Sequence, residues 1–171
     1  MDITIAPVQK DQKETLRNLL EKYLYEFSQY EPADVNDMGL YGYTYLDNYW
    51  TDKNRYAFFI RVDGKLAGFV MVNNHNDAGI EAKIKTDFSM SEFFVMHKYK
   101  RMGVGSYAVK YILSRFKGKW QISYAQINKP AAAFWNKVVN EYTKGNFRKI
   151  ENHKKYDDGL IRDLLVFDTG E

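Results

Sequence analysis

The chain has 171 residues, of which 45% are hydrophobic and 27% are charged. This length and composition predict one globular domain over residues 1–171 with a sizeable core, and they exclude a disordered chain. No apolar run approaches the roughly 20 residues of a membrane span, and the first residues lack the pattern of a signal peptide. Because the chain contains no cysteine, disulfides and thiolate metal sites are also excluded. We therefore expect a cytoplasmic protein with neither a membrane nor a metal as partner.

The net charge is only +3, but acidic and basic residues are segregated along the chain. Residues 23–52, named here the acidic segment, hold six carboxylates and no lysine or arginine. Residues 97–120, the basic segment, hold seven lysines and arginines and no carboxylate. Such segregation indicates two ligands of opposite charge, or else two solvated faces that merely differ in charge.

The hydrophobic pattern of the first half predicts a strand, a helix and a strand hairpin. A short strand over residues 2–6 precedes a helix whose apolar residues recur from Leu16 to Phe27, and a short helix follows around residues 45–50. Strands over residues 55–62 and 65–72 flank Asp63-Gly64, a dipeptide that accepts the positive φ angles of a tight turn. Residues 73–86 are polar and predict a mobile loop.

The second half predicts a strand over residues 88–96, a helix over 104–116, a strand over 120–127 and a helix over 130–142. A terminal hairpin over residues 147–150 and 160–167, turning at Asp157-Asp158-Gly159, completes the chain. The order β-α-(α)-β-β-β-α-β-α-β-β predicts a mixed α/β fold with a mostly antiparallel sheet.

In the stretch from Val95 to Ser106, the end of a strand is followed by a basic loop, by the glycines of Gly103-Val104-Gly105, and by the start of a helix. Unpaired N–H groups at a helix start and close backbone approach at glycine suit a phosphate, although a tight turn is the alternative. A dinucleotide fingerprint is disfavoured because residues 120–128 offer no carboxylate for a ribose. A P-loop is excluded because no Lys-Ser/Thr follows the glycines.

Two motifs resemble those of the GCN5-related N-acetyltransferase (GNAT) family. Val95-x-x-x-x-Lys100-x-x-Gly103-x-Gly105 is similar to the acyl-CoA signature V-x-x-x-x-[R/Q]-x-x-G-x-[G/A], with lysine in place of arginine or glutamine. Asn128-x-x-Ala131-x-x-Phe134-Trp135 is similar to the second motif, N-x-x-A-x-x-[L/F]-Y. Residues 134–145 further resemble a stretch found in uncharacterised bacterial acetyltransferase-like proteins, with the second helix longer than is usual in the family.

The resemblance implies a GNAT-like fold with helices on both faces of the sheet and splayed fourth and fifth strands. It also implies acetyl-CoA as cosubstrate, without a metal. Backbone amides of residues 101–106 would bind the pyrophosphate, residues 94–96 and Asn128 the pantetheine arm, and the second motif the thiol end. Lys98, Lys100 and Arg101 would face the phosphates. The implied contacts are Phe94, Val95, Met96, Lys100, Arg101, Met102, Gly103, Val104, Gly105, Ser106, Asn128, Ala131, Phe134 and Trp135.

Glu92 lies three residues before Val95, where many members of the family carry an acidic residue facing the reacting centre. We predict that it is the general base, against the alternative of a solvent-facing strand glutamate. The N–H of Val95 or Met96 would donate to the thioester carbonyl oxygen. The lack of cysteine favours direct transfer in a ternary complex over an acetyl-enzyme.

Trp135 stands where the family often has a tyrosine that acts as general acid, and an indole N–H does not supply that chemistry. The acid is therefore unassigned, with Tyr124 and Tyr142 as candidates. A thiol with a pKa of about 8.5 can also leave as the thiolate without an acid.

The resemblance places the acidic segment over the acceptor site. Carboxylates attract a cation and aromatic faces hold it, so we predict a cationic primary amine, in a small molecule or a peptide, as acceptor. Asp37 and Asp47 flank a cluster of tyrosines and are the carboxylates expected to contact the acceptor.

Two other function classes are compatible with the sequence. A catalytically silent acyl-CoA sensor would keep the glycine loop and lack a base. A nucleic-acid-binding module would use the basic segment, for which a net charge of +3 is a weak case. The sequence is also compatible with a homodimer.

Overall fold

The computed structural model describes residues 1–74, 84–153 and 159–170. Its strands are β1 (Ile3–Pro7), β2 (Arg55–Val62), β3 (Lys65–Asn73), β4 (Phe88–Val95), β5 (Lys119–Ala125), β6 (Arg148–His153) and β7 (Arg162–Asp168). Its helices are α1 (Lys13–Phe27), α2 (Asn48–Thr51), α3 (Val104–Arg115) and α4 (Lys129–Thr143). Single 3-10 turns, Lys10–Gln12 and His97–Tyr99, precede α1 and follow β4.

The strands form one seven-stranded sheet in the order β1-β2-β3-β4-β5-β7-β6. All neighbours are antiparallel except β4 and β5, which pair in parallel only at Phe88–Trp120 and Ser89–Gln121. Beyond Ser89 the two strands diverge, so the predicted mixed sheet with splayed fourth and fifth strands is confirmed. A bulge in β4 at Ser91, between partners Met71 and Val72 of β3, bends the strand at the point of divergence.

Helices cover both faces of the sheet, as predicted, because apolar side chains alternate between the two faces along the strands. On one face, Leu16, Leu19 and Leu20 of α1 pack with Phe59, Phe69 and Phe94 of the sheet. On the other, Val104, Ile112 and Leu113 of α3 and Val138 and Val139 of α4 pack with Trp120 and Ile122 of β5. We call these the α1 face and the α3/α4 face. None of the described helices is both long and apolar enough to span a membrane.

Local sequence signals locate most of the turns. Asp63 and Gly64 have φ angles of 49° and 74°, which confirms the predicted hairpin between β2 and β3. β6 and β7 form the predicted terminal antiparallel pair. The predicted turn residues Asp157 and Asp158, and most of the predicted loop over residues 73–86, lie outside the described residues.

Gly68 of β3 sets the contact between β3 and the end of β4. A Cβ atom at this position would overlap the carbonyl oxygen of Phe94, so only glycine permits the approach. The N–H of Met96 then donates to the carbonyl of Ala67 at 2.8 Å, which extends the pairing one residue past β4.

Candidate active site

The divergence of β4 and β5 opens a cavity of about 660 Å³ on the α1 face. Its walls come from α1, from residues 31–45 of the acidic segment, and from β4, β5 and β7. Four charged side chains line it among the described residues, namely Glu31, Asp34, Glu92 and Arg162. The cavity therefore carries a negative balance of charge.

Glu92 follows the bulge residue Ser91 and turns its carboxylate toward the cavity. The Tyr23 hydroxyl donates to Oε2 at 2.5 Å, and the Tyr43 hydroxyl donates to Oε1 at 3.0 Å. Both carboxylate oxygens are thus bound by phenols, and Glu92 is not a glutamate on the outer surface of a strand. Glu92 lies where the strands open, and its assignment as the base stays a prediction.

The segment that supplies Tyr43 is fastened to α1. The carboxylate of Glu21 accepts the N–H groups of Tyr41 at 2.8 Å and Gly42 at 2.9 Å, where Gly42 has a φ of 74°. Burial, followed by the nearby charge of Glu92, raises the pKa of Tyr43 far above its ordinary value. Tyr43 therefore remains a protonated donor wherever the protein is folded.

Sequence reasoning missed Tyr23, Tyr43 and Glu21 as members of the site. Tyr23 carries a helical core pattern, and Tyr43 is one of many tyrosines in the acidic segment. Their contacts with Glu92 join residues 69 and 49 positions apart in the chain. No local spacing encodes such contacts.

The structure places neither Asp37 nor Asp47 on the cavity, although the sequence suggested both as contacts of the acceptor. Asp47 pairs with Lys13, which lowers the pKa of that carboxyl, and its side chain is 73% exposed. Asp37 is exposed and does not line the cavity. Glu31 and Asp34 are the members of the acidic segment that line it together with Glu92.

The glycine loop has the geometry of an anion cradle. Arg101 and Gly103 have φ angles of 62° and 81°, and the left-handed Gly103 precedes the first residue of α3. The N–H groups at the start of a helix have no acceptor within it, so those of Val104, Gly105 and Ser106 point outward from the helix end.

The two glycines of the loop differ in what they permit. A Cβ on Gly103 would meet nothing within 4 Å, so its need for glycine comes from its φ angle. A Cβ on Gly105 would lie 3.2 Å from the Phe134 ring. Gly105 thus permits the close approach of α3 and α4.

The side chains of Phe94 and Val95 are buried in the cores on opposite faces, which leaves only their backbone for a ligand. Because the N–H of Met96 donates to Ala67, it is not available to a thioester oxygen. Successive N–H groups of a strand point to opposite edges, so that of Val95 points to the opening. Of the two predicted donors, Val95 is the one that the backbone leaves accessible.

The basic loop is tied to α1 through Glu26. Lys100 Nζ lies 3.0 Å from Glu26 Oε2, and His97 Nε2 contacts Oε1 of the same carboxylate. The side chain of Lys100 therefore points to α1 in this structure, whereas Arg101 and Met102 are exposed beside the glycine loop.

The second motif lies at the start of α4, on the α3/α4 face. Asn128 caps the helix by accepting the N–H of Ala131 at 3.1 Å, which leaves its amide nitrogen for a ligand. Phe134 stacks on Phe93 with ring centroids 5.4 Å apart, and Trp135 meets Phe93 edge-on at 5.1 Å. These rings cover the divergence of β4 and β5 from the face opposite the cavity.

The two candidate acids have different surroundings. The Tyr124 hydroxyl donates to Asp163 at 3.3 Å and accepts from Asn136, the residue after Trp135, at 2.6 Å. Burial raises the pKa of Tyr124, so its hydroxyl stays neutral at physiological pH. Tyr142 lies seven residues beyond Trp135, roughly 10 Å farther along α4. Tyr124 is thus the better-placed candidate.

The residues that the sequence assigned to acetyl-CoA are brought together around the divergence, and they fit such a ligand. The glycine loop offers helix-end N–H groups to phosphate, and Val95 and Asn128 offer donors to an amide-bearing arm. Within the described ranges, no group of three or more His, Asp or Glu could hold a metal ion.

Comparisons with known proteins point to one family. The family model described as "Acetyltransferase (GNAT) family" matches residues 14–139. An acetyltransferase from Thermus thermophilus superposes with a TM-score of 0.66 at 15% identity, covering 98% of this chain and 97% of that one. Among curated proteins, no sequence matches significantly.

Two further solved structures carry more specific descriptions. The ribosomal-protein-S18-alanine N-acetyltransferase of Escherichia coli matches with a TM-score of 0.61 at 12% identity, covering 99% of this chain and 96% of its own. NAA60 of Arabidopsis thaliana, solved in complex with acetyl-CoA, matches with a TM-score of 0.60 at 14% identity and 98% coverage of both chains. At these identities the likeness concerns the fold.

Proposed function

Because the chain belongs to the GNAT family of acetyltransferases, we propose that it transfers an acetyl group from acetyl-CoA to a cationic primary amine within a ternary complex. The observation that carries this proposal is the position of Glu92. Its carboxylate is held by two tyrosines in a cavity that opens between the diverging strands β4 and β5. A silent acyl-CoA sensor would have no use for a carboxylate so placed.

In this proposal acetyl-CoA lies along the divergence on the α3/α4 face. The N–H groups of residues 101–106 would bind its pyrophosphate, with the backbone of Phe94 to Met96 and the amide of Asn128 against the pantetheine arm. Ala131, Phe134 and Trp135 would surround the thiol end. The NAA60 structure, which contains acetyl-CoA, supports this choice of cosubstrate.

Glu92 would make the amine nucleophilic. A simple alkylammonium has a pKa near 10.4, so it must lose a proton before it can attack. Glu92 would take that proton directly or through water, a contribution of about 10²- to 10⁴-fold in rate. The amine nitrogen would then bond to the acetyl carbon while the carbon–sulfur bond breaks.

The chain would also stabilise the charges that develop in transfer. The N–H of Val95 would donate to the carbonyl oxygen as it gains negative charge. The sulfur would leave with its electron pair as a thiolate, which at a thiol pKa of about 8.5 costs little at neutral pH. Tyr124 remains the candidate for a proton donor in place of the missing tyrosine at position 135.

The charge of the cavity supports a cationic acceptor. The described lining residues include three carboxylates, Glu31, Asp34 and Glu92, and a single arginine, Arg162. Tyr41 and Tyr45 add aromatic rings that can contact a cation. A small amine and a peptide amine both fit this charge pattern. The E. coli enzyme of similar fold is described as acting on an alanine of a ribosomal protein. A cytoplasmic and bacterial setting and a homodimer stay predictions from the sequence.

An acceptor screen read by thiol release tests the proposal. Polyamines, amino acids, aminoglycosides and peptides would be offered with acetyl-CoA, and we expect turnover with cationic amines. Asp34→Asn should raise KM for such an acceptor by about 2- to 5-fold, the size of an exposed ion pair, and leave acetyl-CoA binding unchanged. Asp37→Asn is the matched control. A preferred acceptor that is neutral or anionic would contradict the cationic assignment.

A further inference from the structure

Glu92 is bound on both oxygens by hydroxyls from two separate parts of the chain. Tyr23 reaches it from α1, where its ring packs edge-on against Phe69 and Phe94 with centroids 5.7 and 6.1 Å away. Tyr43 reaches it from residues 31–45, named here the covering segment, which form one wall of the cavity. A core side chain and a covering side chain thus converge on one carboxylate.

The two hydrogen bonds limit the orientations that the Glu92 carboxylate can adopt. A carboxylate has about four lone-pair positions, and the two phenols occupy one on each oxygen. The direction of the carboxylate is therefore fixed as long as both hydrogen bonds hold. Donors to the charged form also favour the carboxylate over the carboxylic acid.

We propose that Tyr23 and Tyr43 are positioning residues that keep Glu92 ionised and aimed at the acceptor amine, and that Glu21 acts through Tyr43. The catalytic part of this statement rests on the proposed function, whereas the hydrogen bonds themselves do not. Neither tyrosine is assigned a proton-transfer role here.

Glu21 enters because it determines where Tyr43 lies. Its two carboxylate oxygens accept consecutive N–H groups, of Tyr41 and Gly42, immediately before Tyr43. Loss of this double contact would free the backbone at a glycine of positive φ. Glu21 does not line the cavity, and its hydrogen bonds to Tyr41 and Gly42 connect it to the site through the segment that carries Tyr43.

Other titratable groups also lie near Glu92. Tyr49 of α2 lies within electrostatic reach, and burial raises its pKa, so it stays neutral. Glu31, Asp34 and Arg162 line the same cavity, from the covering segment and from β7. Tyr49 also shares a side-chain hydrogen bond with Tyr43, so Tyr23→Phe, which leaves that contact in place, separates the effect on Glu92 from an effect on Tyr49.

The test is a titration of the Glu92 carboxyl carbon by ¹³C NMR, with the signal assigned by its loss in Glu92→Gln. Tyr43→Phe and Tyr23→Phe should each move the midpoint upward by about one pH unit, because each removes a donor to the charged form. The acidic limb of kcat/KM should move in parallel. Tyr25→Phe, at a position 71% exposed, is the control and should move neither.

A double-mutant cycle tests the part played by Glu21. Glu21→Gln should shift the same midpoint in the direction of Tyr43→Phe, and should add nothing in the Tyr43→Phe background. An unmoved midpoint in both tyrosine variants, or additive shifts of Glu21→Gln and Tyr43→Phe, would overturn the proposal. If Tyr43→Phe fails to fold, Tyr23→Phe still decides the question. Failure of the wild type to acetylate any amine would refute the proposed function but leave the NMR result interpretable.

Discussion

The carboxylate of Glu26 joins the end of α1 to the loop that precedes α3. It pairs with His97 and with Lys100, and the family resemblance assigned Lys100 to phosphate. Glu26 and a bound phosphate would therefore compete for Lys100. The predicted role of Lys100 depends on which of the two anions it prefers.

We expect Glu26→Gln to tighten CoA binding by about 2- to 5-fold, because the pair is partly exposed and such pairs contribute little. Isothermal titration calorimetry at low and high salt measures the change, which should shrink as salt screens the charges. Glu14→Gln, which removes a carboxylate paired with Arg17 at 3.2 Å near the other end of α1, is the control. Weaker binding by Glu26→Gln would contradict competition for Lys100.

The family resemblance pointed to Glu92, because many members carry an acidic residue three positions before the valine that begins the motif. Sequence reasoning did not find Tyr23 or Tyr43, since their hydroxyls reach Glu92 only after the sheet and α1 have packed. It also chose Asp37 and Asp47 from their nearness to tyrosines in the chain, whereas the path of the covering segment turns Glu31 and Asp34 to the cavity. Local sequence patterns do not predict the roles of residues that depend on contacts between distant parts of the chain.

At the scale of elements, α3 and α4 meet at Gly105 and Phe134. The Phe134 ring cannot easily move away, because it stacks on Phe93 and lies 4.9 Å from Trp135. A methyl group at position 105 would therefore press on a fixed ring. The glycine that the motif associates with phosphate also serves helix packing.

Gly105→Ala should lower stability by about 1 kcal/mol, although alanine ordinarily stabilises a helix relative to glycine. Chemical denaturation measures the effect, and Phe134→Leu in the same chain should recover part of it by making room. An increase in stability from Gly105→Ala would show that the contact between α3 and α4 is loose.

The elements themselves were largely predictable. The hydrophobic pattern located the strands, and Asp63-Gly64 located the hairpin between β2 and β3. The bulge at Ser91 and the close approach at Gly68 were not foreseen, because each depends on the partner strand. These two features bend β4 and fix its end, and they help determine where the sheet opens.

At the scale of the whole molecule, Asp163 of β7 connects its own strand to β5 and β6. It accepts from Gln126 at 2.6 Å and Tyr124 at 3.3 Å, pairs with Lys149 at 3.0 Å, and is 7% exposed. Burial alone would raise the pKa of Asp163, but the hydrogen bonds from Gln126 and Lys149 outweigh it and lower that pKa. The ionised form therefore stabilises the fold.

A lowered pKa in the folded state gives stability that is present above the unfolded value and is lost as the pH falls toward the folded value. Asp163→Asn should thus lower the free energy of unfolding by about 1.5–3 kcal/mol at pH 7, the size of hydrogen bonds to a charged group. The difference in free energy of unfolding between Asp163→Asn and the wild type should become smaller below about pH 4, where the aspartate of the unfolded chain becomes protonated. Urea unfolding across this pH range measures that difference. A difference that does not change with pH would contradict the claim that the ionised form of Asp163 stabilises the fold.

The distribution of charge over the molecule also bears on the alternatives. Lys100 and Lys110 of the basic segment pair with Glu26 and Glu141, both at 3.0 Å. Part of the basic surface is thereby neutralised within the fold, which weakens the alternative of a nucleic-acid-binding module. The bound carboxylate of Glu92 likewise disfavours a silent sensor.

The most direct test of the account is the turnover of Glu92→Gln, measured by thiol release with the best acceptor of the screen, beside its acetyl-CoA affinity by calorimetry. We predict that kcat falls by about 10²- to 10⁴-fold and that the acidic limb of the pH profile flattens, while acetyl-CoA affinity is unchanged. Gln keeps the size of the side chain and removes only the base. Unchanged turnover would contradict the assignment of Glu92 as the base.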